Sequence, residues 1–546
     1  MSEKVLVIGL DGTPLELVRP WMEKGLLPNL ATFLREGVVT NLESVIPPQT
    51  ASGWSSMITG KNPGKHGVFG FFKREPSGYD LLPVSASDRK SLDLWEILSQ
   101  FEKKVGVFDV PVTYPVRKVK GFLVSGMLTP FGVKDYCYPA NLVDELDSKI
   151  GSFSPPFTLV TGNEETVEGR LNSLTDNHGQ AILYLLDNKE WNFFMTVFHG
   201  TDRIQHVFWK YMEENSNCDA QKRSKYRDAI LRYYQKVDGI IGEILLRADD
   251  NTTVFIVSDH GAGQLTKWVH PNVFLLKEGF LKIRRGVAES LRYLLFSAGI
   301  SPLNVLKVAL ALNVLRFKDR VGRGQMRSIM NKFFLSLKDI DWSRSAAYSF
   351  GGWGRVFINL KGKFPQGMIE SGREYEDVMT DIISRLKELE DPETGKKICA
   401  EIYRKEQIYD GPYLDEAPDI VYQLTPGYYS FPDYEFGSKA LVTGISGWSA
   451  GHTLDGVLMM KGKNISRMML PKAKIVDVAP TVLALLGLPV PTDMDGRVLV
   501  EAFSKEFAES NQVSRIDYTT QKEFEHTYTD EQVDELKKTL RGLGYL

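Results

Sequence analysis

Five runs of consecutive apolar residues punctuate the chain: KVLVIGLD at 4–11, KVGVFD at 104–109, NFFMTVF at 192–198, TTVFIVSD at 252–259 and GVLMMK at 456–461. Each is apolar at successive rather than alternate positions, as a strand covered on both faces of a parallel sheet must be. Between them, helical spacing of apolar residues marks 27–36, 91–102, 167–188, 221–247 and 477–486. This alternation predicts an α/β chain with a mostly parallel sheet between helical layers. Several of the runs end in Asp, His or a polar loop. In open α/β sheets ligands bind at the carboxyl ends of the strands, so residues distant in sequence are expected to meet there.

The pattern changes after the fourth run. Residues 280–345 are helix-rich and basic, with apolar clusters at Leu291, Leu294 and Leu295 and at Val305, Val308, Leu312 and Leu315. Residues 346–430 read as α+β: GRVFINLKG and APDIVYQL as strands, EYEDVMTDIISRLKEL as a helix. The expected organisation is a catalytic core over 1–264 and 441–504, an inserted cap over 265–440, and a C-terminal helical tail over 505–546. The last helix of that tail opens on a capping-box pattern, Thr529 with Gln532 three residues later.

Composition narrows the class. The chain has 546 residues, 43% apolar and 25% charged, as globular proteins do; 66 Lys and Arg against 69 Asp and Glu leave a net charge of −3. That balance offers no global basic excess for nucleic acid, and no specific nucleic-acid binding is expected. The three cysteines, Cys137, Cys218 and Cys399, are too few and too widely spaced for a disulfide framework or a zinc ribbon. The N-terminal apolar run meets Asp11 after six residues and reads as a strand, not a signal peptide. A cytoplasmic protein is expected. The basic segment 280–345 reads as a lid or packing element; contact with a membrane surface or an anionic part of the substrate is its alternative.

With eight histidines each can be weighed. His206 follows Asp202 by four residues in TDRIQH, so on a helix the two share a face and can grip one cation. Asp259 and His260 end a strand in SDHG; Gly261 and Gly263 allow the turn that would let both serve one ion. His452 lies in SAGHTLDG ahead of the last strand, Asp11 ends the first, and Thr50 opens a loop-then-helix segment whose N-terminus suits an anion. His66 either approaches a phosphate or structures its loop; His199 and His270 are either supports of the site or structural; His178 and His526 are expected to be solvated. Asp477 is expected to cap the helix that carries Pro480. Lys267 and Trp268, just beyond His260, either line the site's mouth or pack the hinge of the cap.

Taken together, IGLDG (8–12), LPNLATFLREG (27–37), TASGWSSMITGKNPGKHGVFGF (50–71), HGTDRIQH (199–206), VSDHG (257–261), GHTLDGVLMMKG (451–462) and DVAPTVLALLGLPVPTDMDGRVL (477–499) resemble the type I phosphodiesterase and nucleotide pyrophosphatase branch of the alkaline phosphatase superfamily. The resemblance implies two divalent metal ions, zinc with manganese as the alternative. It implies that Asp11, Thr50, Asp259 and His260 hold one ion and that Asp202, His206 and His452 hold the other, with Thr50 as nucleophile. The implied activity is hydrolysis of a small-molecule phosphoric ester through a phospho-threonine. Monoester, pyrophosphate and phosphonate cleavage, or transfer to an alcohol, are alternatives on the same site, and a non-catalytic phospho-ligand binding protein is the other class. Thr50-Ala51-Ser52-Gly53-Trp54 lacks the sulfatase pattern. Where nucleotide pyrophosphatases place an Asn on a phosphoryl oxygen, this chain has Phe71, so that oxygen must be held by backbone N–H groups after Thr50 or by a Lys or Arg of the cap.

Overall fold

The computed structural model describes residues 3–75, 78–158, 160, 162–214, 218–302, 304–305, 333–350, 353–431, 436–445, 448–517 and 525–542. Its centre is a nine-stranded sheet of β1 (Lys4–Leu10), β2 (Val38–Glu43), β3 (Val105–Val110), β4 (Gly121–Ser125), β5 (Cys137–Tyr138), β6 (Phe193–Phe198), β7 (Thr252–Val257), β8 (Asp455–Lys461) and β9 (Ala473–Lys474), in the order β9-β2-β8-β7-β1-β6-β3-β4-β5. β7, β1, β6, β3 and β4 run parallel, with Leu6 of β1 opposite Val254 on one side and Phe194 on the other. Successive side chains of a strand face opposite ways. Leu6, Ile8 and Leu10 accordingly enter one core, under the helices Leu15–Glu23, Glu164–Asn188, Gly200–Met212 and Ala229–Leu245. Val5 and Val7 enter the other, under Thr50–Thr59, Leu94–Gln100 and Val478–Leu485.

The expected apolar runs are all strands, but β8 is antiparallel to both β7 and β2. Burial on both faces dictates the apolar run and says nothing about direction. The consequence is functional: the amino end of β8, with His452 just before it, lies at the same sheet edge as the carboxyl ends of β1, β6 and β7. The 27–36 helix is shorter than its pattern, Ala31–Glu36, and the 221–247 pattern divides into Ala220–Tyr226 and Ala229–Leu245. The amphipathic helix Leu15–Glu23, which buries Leu15, Val18 and Met22, and the strand Val38–Glu43, which alternates buried and half-buried positions, stand outside the expected elements.

A second, four-stranded antiparallel sheet runs in the order Ala347–Tyr348, Arg355–Ile358, Ile420–Leu424, Cys399–Arg404, covered by the helix Arg373–Glu388 through Met379, Ile382 and Leu386. Its apolar face shares a core with Ala51, Val68, Phe71 and Phe72, which follow Thr50. Val308, Leu312 and Leu315 lie outside the described residues. The Thr529–Gln532 box forms, each residue's side chain accepting from the other's backbone N–H. The described part of the tail packs on the body of the protein: Leu536 and Leu540 are buried and the Tyr528 hydroxyl donates to the Leu128 carbonyl.

Candidate metal centre and active site

Five neighbouring chain segments deliver the site. β1 ends at Leu10 and releases Asp11; β7 ends at Val257 and releases Asp259 and His260. After β6 the helix Gly200–Met212 begins at once, placing Asp202 in its first turn and His206 one turn on. His452 belongs to a short strand, Ala450–Thr453, paired antiparallel with Gly261–Gln264, so that His452 lies opposite Ala262. Thr50 is the first residue of the fully buried helix Thr50–Thr59. Gly12 is required where these segments meet: its φ is +64° and a Cβ there would lie 2.7 Å from Asp202 Oδ1.

The side chains form two groups, Asp11 with Asp259 and His260, and Asp202 with His206 and His452, each with ligand atoms within 4.8 Å of one another. The groups adjoin. The His260 and His452 rings stack at 3.6 Å, and Thr50 Oγ1 lies 3.4 Å from His260 Nε2. All seven residues are buried. His206, His260 and His452 each donate Nδ1–H to a backbone carbonyl, of Ala450, Gly261 and Pro48 respectively. A carbonyl only accepts, so each neutral ring turns an Nε2 lone pair inward. Those lone pairs face carboxylates and one another: His206 Nε2 is 3.2 Å from His452 Nε2 and 3.0 Å from Asp202 Oδ2. Asp11 Oδ1 and Asp259 Oδ2, both buried, have no hydrogen-bond partner among the described residues. Carboxylates and imidazoles gathered this closely and turned inward fit divalent cations.

Electrostatics point the same way. Burial and the neighbouring Asp11 hold the Asp259 carboxyl well above the usual carboxylate range. Burial and the His260 ring hold His452 well below the usual imidazole value, and burial lowers His260 against the pull of Asp11.

Behind the first group lies a support that the sequence reading left undecided. His199 Nδ1 donates to Asp11 Oδ2 at 2.6 Å, and its Nε2 donates to the Asp109 carbonyl at 3.0 Å and faces Asp109 Oδ1 at 3.2 Å. Burial opposes the charge, but Asp109 and Asp11 overcome it and raise His199 to about 10. Asp109 sits at φ +59° beside a break in the β3–β4 register, which aims its carboxylate inward. Its place at the end of a buried run was the same signal that marked Asp11.

Several other expectations are corrected. His178 is buried, not solvated: Nε2 donates to the Ser154 carbonyl and Nδ1 faces Asp109 at 3.6 Å. His526 is half-buried, edge-on to Tyr114 and Tyr528. His66 is a loop-structuring residue; its Nδ1 accepts from Val68 N and its Nε2 donates to Ser56 Oγ at 2.8 Å. Asp477 makes no side-chain cap on its helix and instead accepts from the backbone of Lys474 and Arg497. His270 is buried and bonds Thr443.

A cavity of about 690 Å³ adjoins His452 and Pro48, walled by Trp353, Tyr428, Tyr429 and Lys267. The Lys267 ammonium is held by Asp391 and Glu393. Trp268 does not line this cavity; it is buried edge-on against Tyr429 and Phe431. The aromatic wall is Trp353, whose ring centroid lies 4.5 Å from that of His452. Trp448 stacks on His206 at 3.6 Å. Phe71, the residue in the expected Asn place, is in the apolar core beside Ala51 and supplies no donor.

The model of the type I phosphodiesterase / nucleotide pyrophosphatase family matches residues 5–449. The chain belongs to that family. It is therefore a phosphoric ester hydrolase of the phosphodiesterase and pyrophosphatase type, on the alkaline-phosphatase-like fold. A comparison with curated protein sequences finds no match. Among solved structures, phosphonoacetate hydrolase from Sinorhizobium meliloti, in complex with phosphonoformate, is similar at a TM-score of 0.51 with 13% identity, over 89% of this chain and 96% of that one. Human ectonucleotide pyrophosphatase / phosphodiesterase 5 is similar at a TM-score of 0.48 with 10% identity, over 92% of this chain and all of that one. Within the described residues of this family member, no helix is long and apolar enough to cross a membrane.

Proposed function

We propose that this chain is a two-metal phosphodiesterase or nucleotide pyrophosphatase that works through a phospho-threonine on Thr50. The observation that carries the reading is the junction of the two acceptor groups at Thr50. Asp11, Thr50, Asp259 and His260 would hold one ion; Asp202, His206 and His452 would hold the other. Zinc suits the imidazole-rich set, with manganese as the alternative. Bound cations would lower the pKa of the threonine hydroxyl and neutralise charge developing on the phosphoryl oxygens. Thr50 Oγ1 attacks phosphorus as the bond to the leaving oxygen breaks; water then cleaves the Thr50–phosphorus bond and restores the hydroxyl. The helix Thr50–Thr59 directs its first N–H groups at the phosphoryl group, because Gln49 provides no side-chain cap to occupy them. The cavity walled by Trp353 and Tyr429 is sized for the organic group of a small ester, and a cap over 265–440 supplies that wall. The three cysteines are free thiols, which supports a cytoplasmic setting.

The test is release of p-nitrophenol from p-nitrophenyl phosphate and from bis(p-nitrophenyl) phosphate, each with zinc and with manganese. Faster diester than monoester cleavage is expected; the reverse order would make the chain a phosphomonoesterase. Thr50→Ala should lower turnover by about 10⁴-fold, the scale of losing a nucleophile, while metal content stays near two ions per chain because the six other ligands remain. Normal turnover in that variant would mean direct attack by water.

A further inference from the structure

Next to Thr50 in the chain lies a buried donor that no acceptor meets among the described residues. Gln49 immediately precedes Thr50 and is 0% exposed. Its Oε1 accepts from Arg355 Nη2 at 3.1 Å, which fixes which end of the carboxamide carries the donors. Its Nε2 is buried and has no hydrogen-bond partner among the described residues. Leaving a buried amide donor unmet is destabilising. Such a cost is expected where a ligand supplies the missing acceptor.

The surroundings hold Gln49 in place. A Cβ on Gly70 would come within 2.1 Å of Gln49 Oε1 and 2.7 Å of Arg355 Nη1, so glycine there gives both side chains their room. Arg355 is buried, and its Nη1 donates to the Phe69 carbonyl. Burial pulls the guanidinium down to about 10, so it remains a cation at neutral pH. The Gln49 backbone belongs to the start of the helix: its carbonyl accepts from Gly53 N at 2.7 Å and from Ser52 Oγ. The carboxamide is therefore clamped between the nucleophile's helix and an arginine some 300 residues downstream.

We propose that Gln49 is a catalytic residue: its Nε2–H donates to a non-bridging phosphoryl oxygen of the substrate, and Arg355 is the positioning residue that orients the carboxamide. This rests on the phosphoric ester reading above and adds the donor that Phe71 cannot supply. A donor fixed before reaction stabilises charge in the transition state without reorganisation.

The experiment uses the full-length, zinc-loaded enzyme and its Gln49→Glu, Gln49→Ala and Arg355→Lys variants. Gln49→Glu keeps an acceptor for Arg355 and strengthens that contact, but deletes the donor and adds negative charge. Thermal melting checks that it folds. The expected result is a kcat for bis(p-nitrophenyl) phosphate about 100-fold lower in Gln49→Glu and Gln49→Ala, the scale of losing one oxyanion donor. Arg355→Lys is expected to fall less, with the loss in kcat rather than KM. Inorganic phosphate binding, measured by calorimetry independently of turnover, should weaken at least tenfold in Gln49→Glu. Wild-type phosphate affinity in that variant, or a kcat within threefold of wild type, would overturn the proposal. Should the wild type cleave no phosphoric ester, the functional reading falls on that arm alone, and the calorimetry still decides whether Gln49 holds the anion.

Discussion

The two acceptor groups are built differently. Asp11, Asp259 and His260 sit at the ends of adjacent parallel strands, β1 and β7, whose register is fixed along their length. Two carboxylates face one imidazole there, and His199 ties Asp11 to Asp109 on β3. Asp202, His206 and His452 put one carboxylate against two imidazoles, and join a helix to a four-residue strand that reaches it only through its pairing with Gly261–Gln264. The first group is carboxylate-rich and anchored in the sheet. The second is imidazole-rich and carried by a helix and a short strand outside the nine-stranded sheet, with Trp448 and Trp353 packed on its rings. Ligand softness therefore differs between neighbouring positions: the second group should prefer zinc, while the first should also accept manganese.

Removing one ligand from each group is the largest test of that contrast. His452→Ala should leave one tightly held zinc per chain, and Asp11→Asn should leave a chain whose remaining ion is poorly replaced by manganese. Both should lose about 10³-fold or more in turnover, because a two-ion clamp needs both ends. Metal analysis after dialysis against each ion checks the asymmetry; equal loss of both ions in both variants would show the groups to be one cooperative site.

A smaller effect is expected behind the first group. His199→Gln keeps a donor but gives up the charge, and should lower metal affinity or activity by about 10–100-fold, as loss of a ligand's hydrogen-bond partner does. The ion at Asp11, Asp259 and His260 should be the one weakened, read by competition with a chromophoric chelator. An unchanged affinity would mean that Asp11 is oriented by its strand alone.

The smallest effect concerns the loop that follows the helix Thr50–Thr59. Burial, with Arg89 and Lys61 beside it, lowers the His66 pKa from 6.5 to about 3. Between those values the unfolded chain binds a proton that the folded chain does not, so stability falls as pH falls through that window. Wild type should lose up to about 1.4 kcal/mol per pH unit more than His66→Gln does on going from pH 6 to pH 4, measured by urea unfolding. Parallel slopes would show that His66 titrates normally.

Much of this site could be read from the chain. Asp11, Asp259 and His260 were legible because a parallel strand must be apolar until it leaves the sheet, so the first polar residues after each run stand at the edge. Asp202 and His206 were legible because four residues make one helical turn. Asp109 carried the same strand-end signal, but nothing local tells a support from a turn residue. Trp268, close after His260 in sequence, was open between the site's mouth and the hinge of the cap; the three-stranded pairing of Lys267–Val269 with Tyr428–Ser430 and Val442–Gly444 goes with a buried ring.

The sequence by itself determined the layered α/β architecture, the order of the strands' polar ends and the identity of the acceptor residues. Those follow from local periodicity and from which side chains can bind a cation. Only the tertiary structure decided that β8 runs antiparallel and so brings His452 to the same edge as His260. It also decided that His199 and Asp109 brace Asp11, and that Arg355 clamps Gln49 beside Thr50. Each of these is a pairing between segments remote in sequence. Long-range packing and burial fix such pairings, and no window of neighbouring residues contains them.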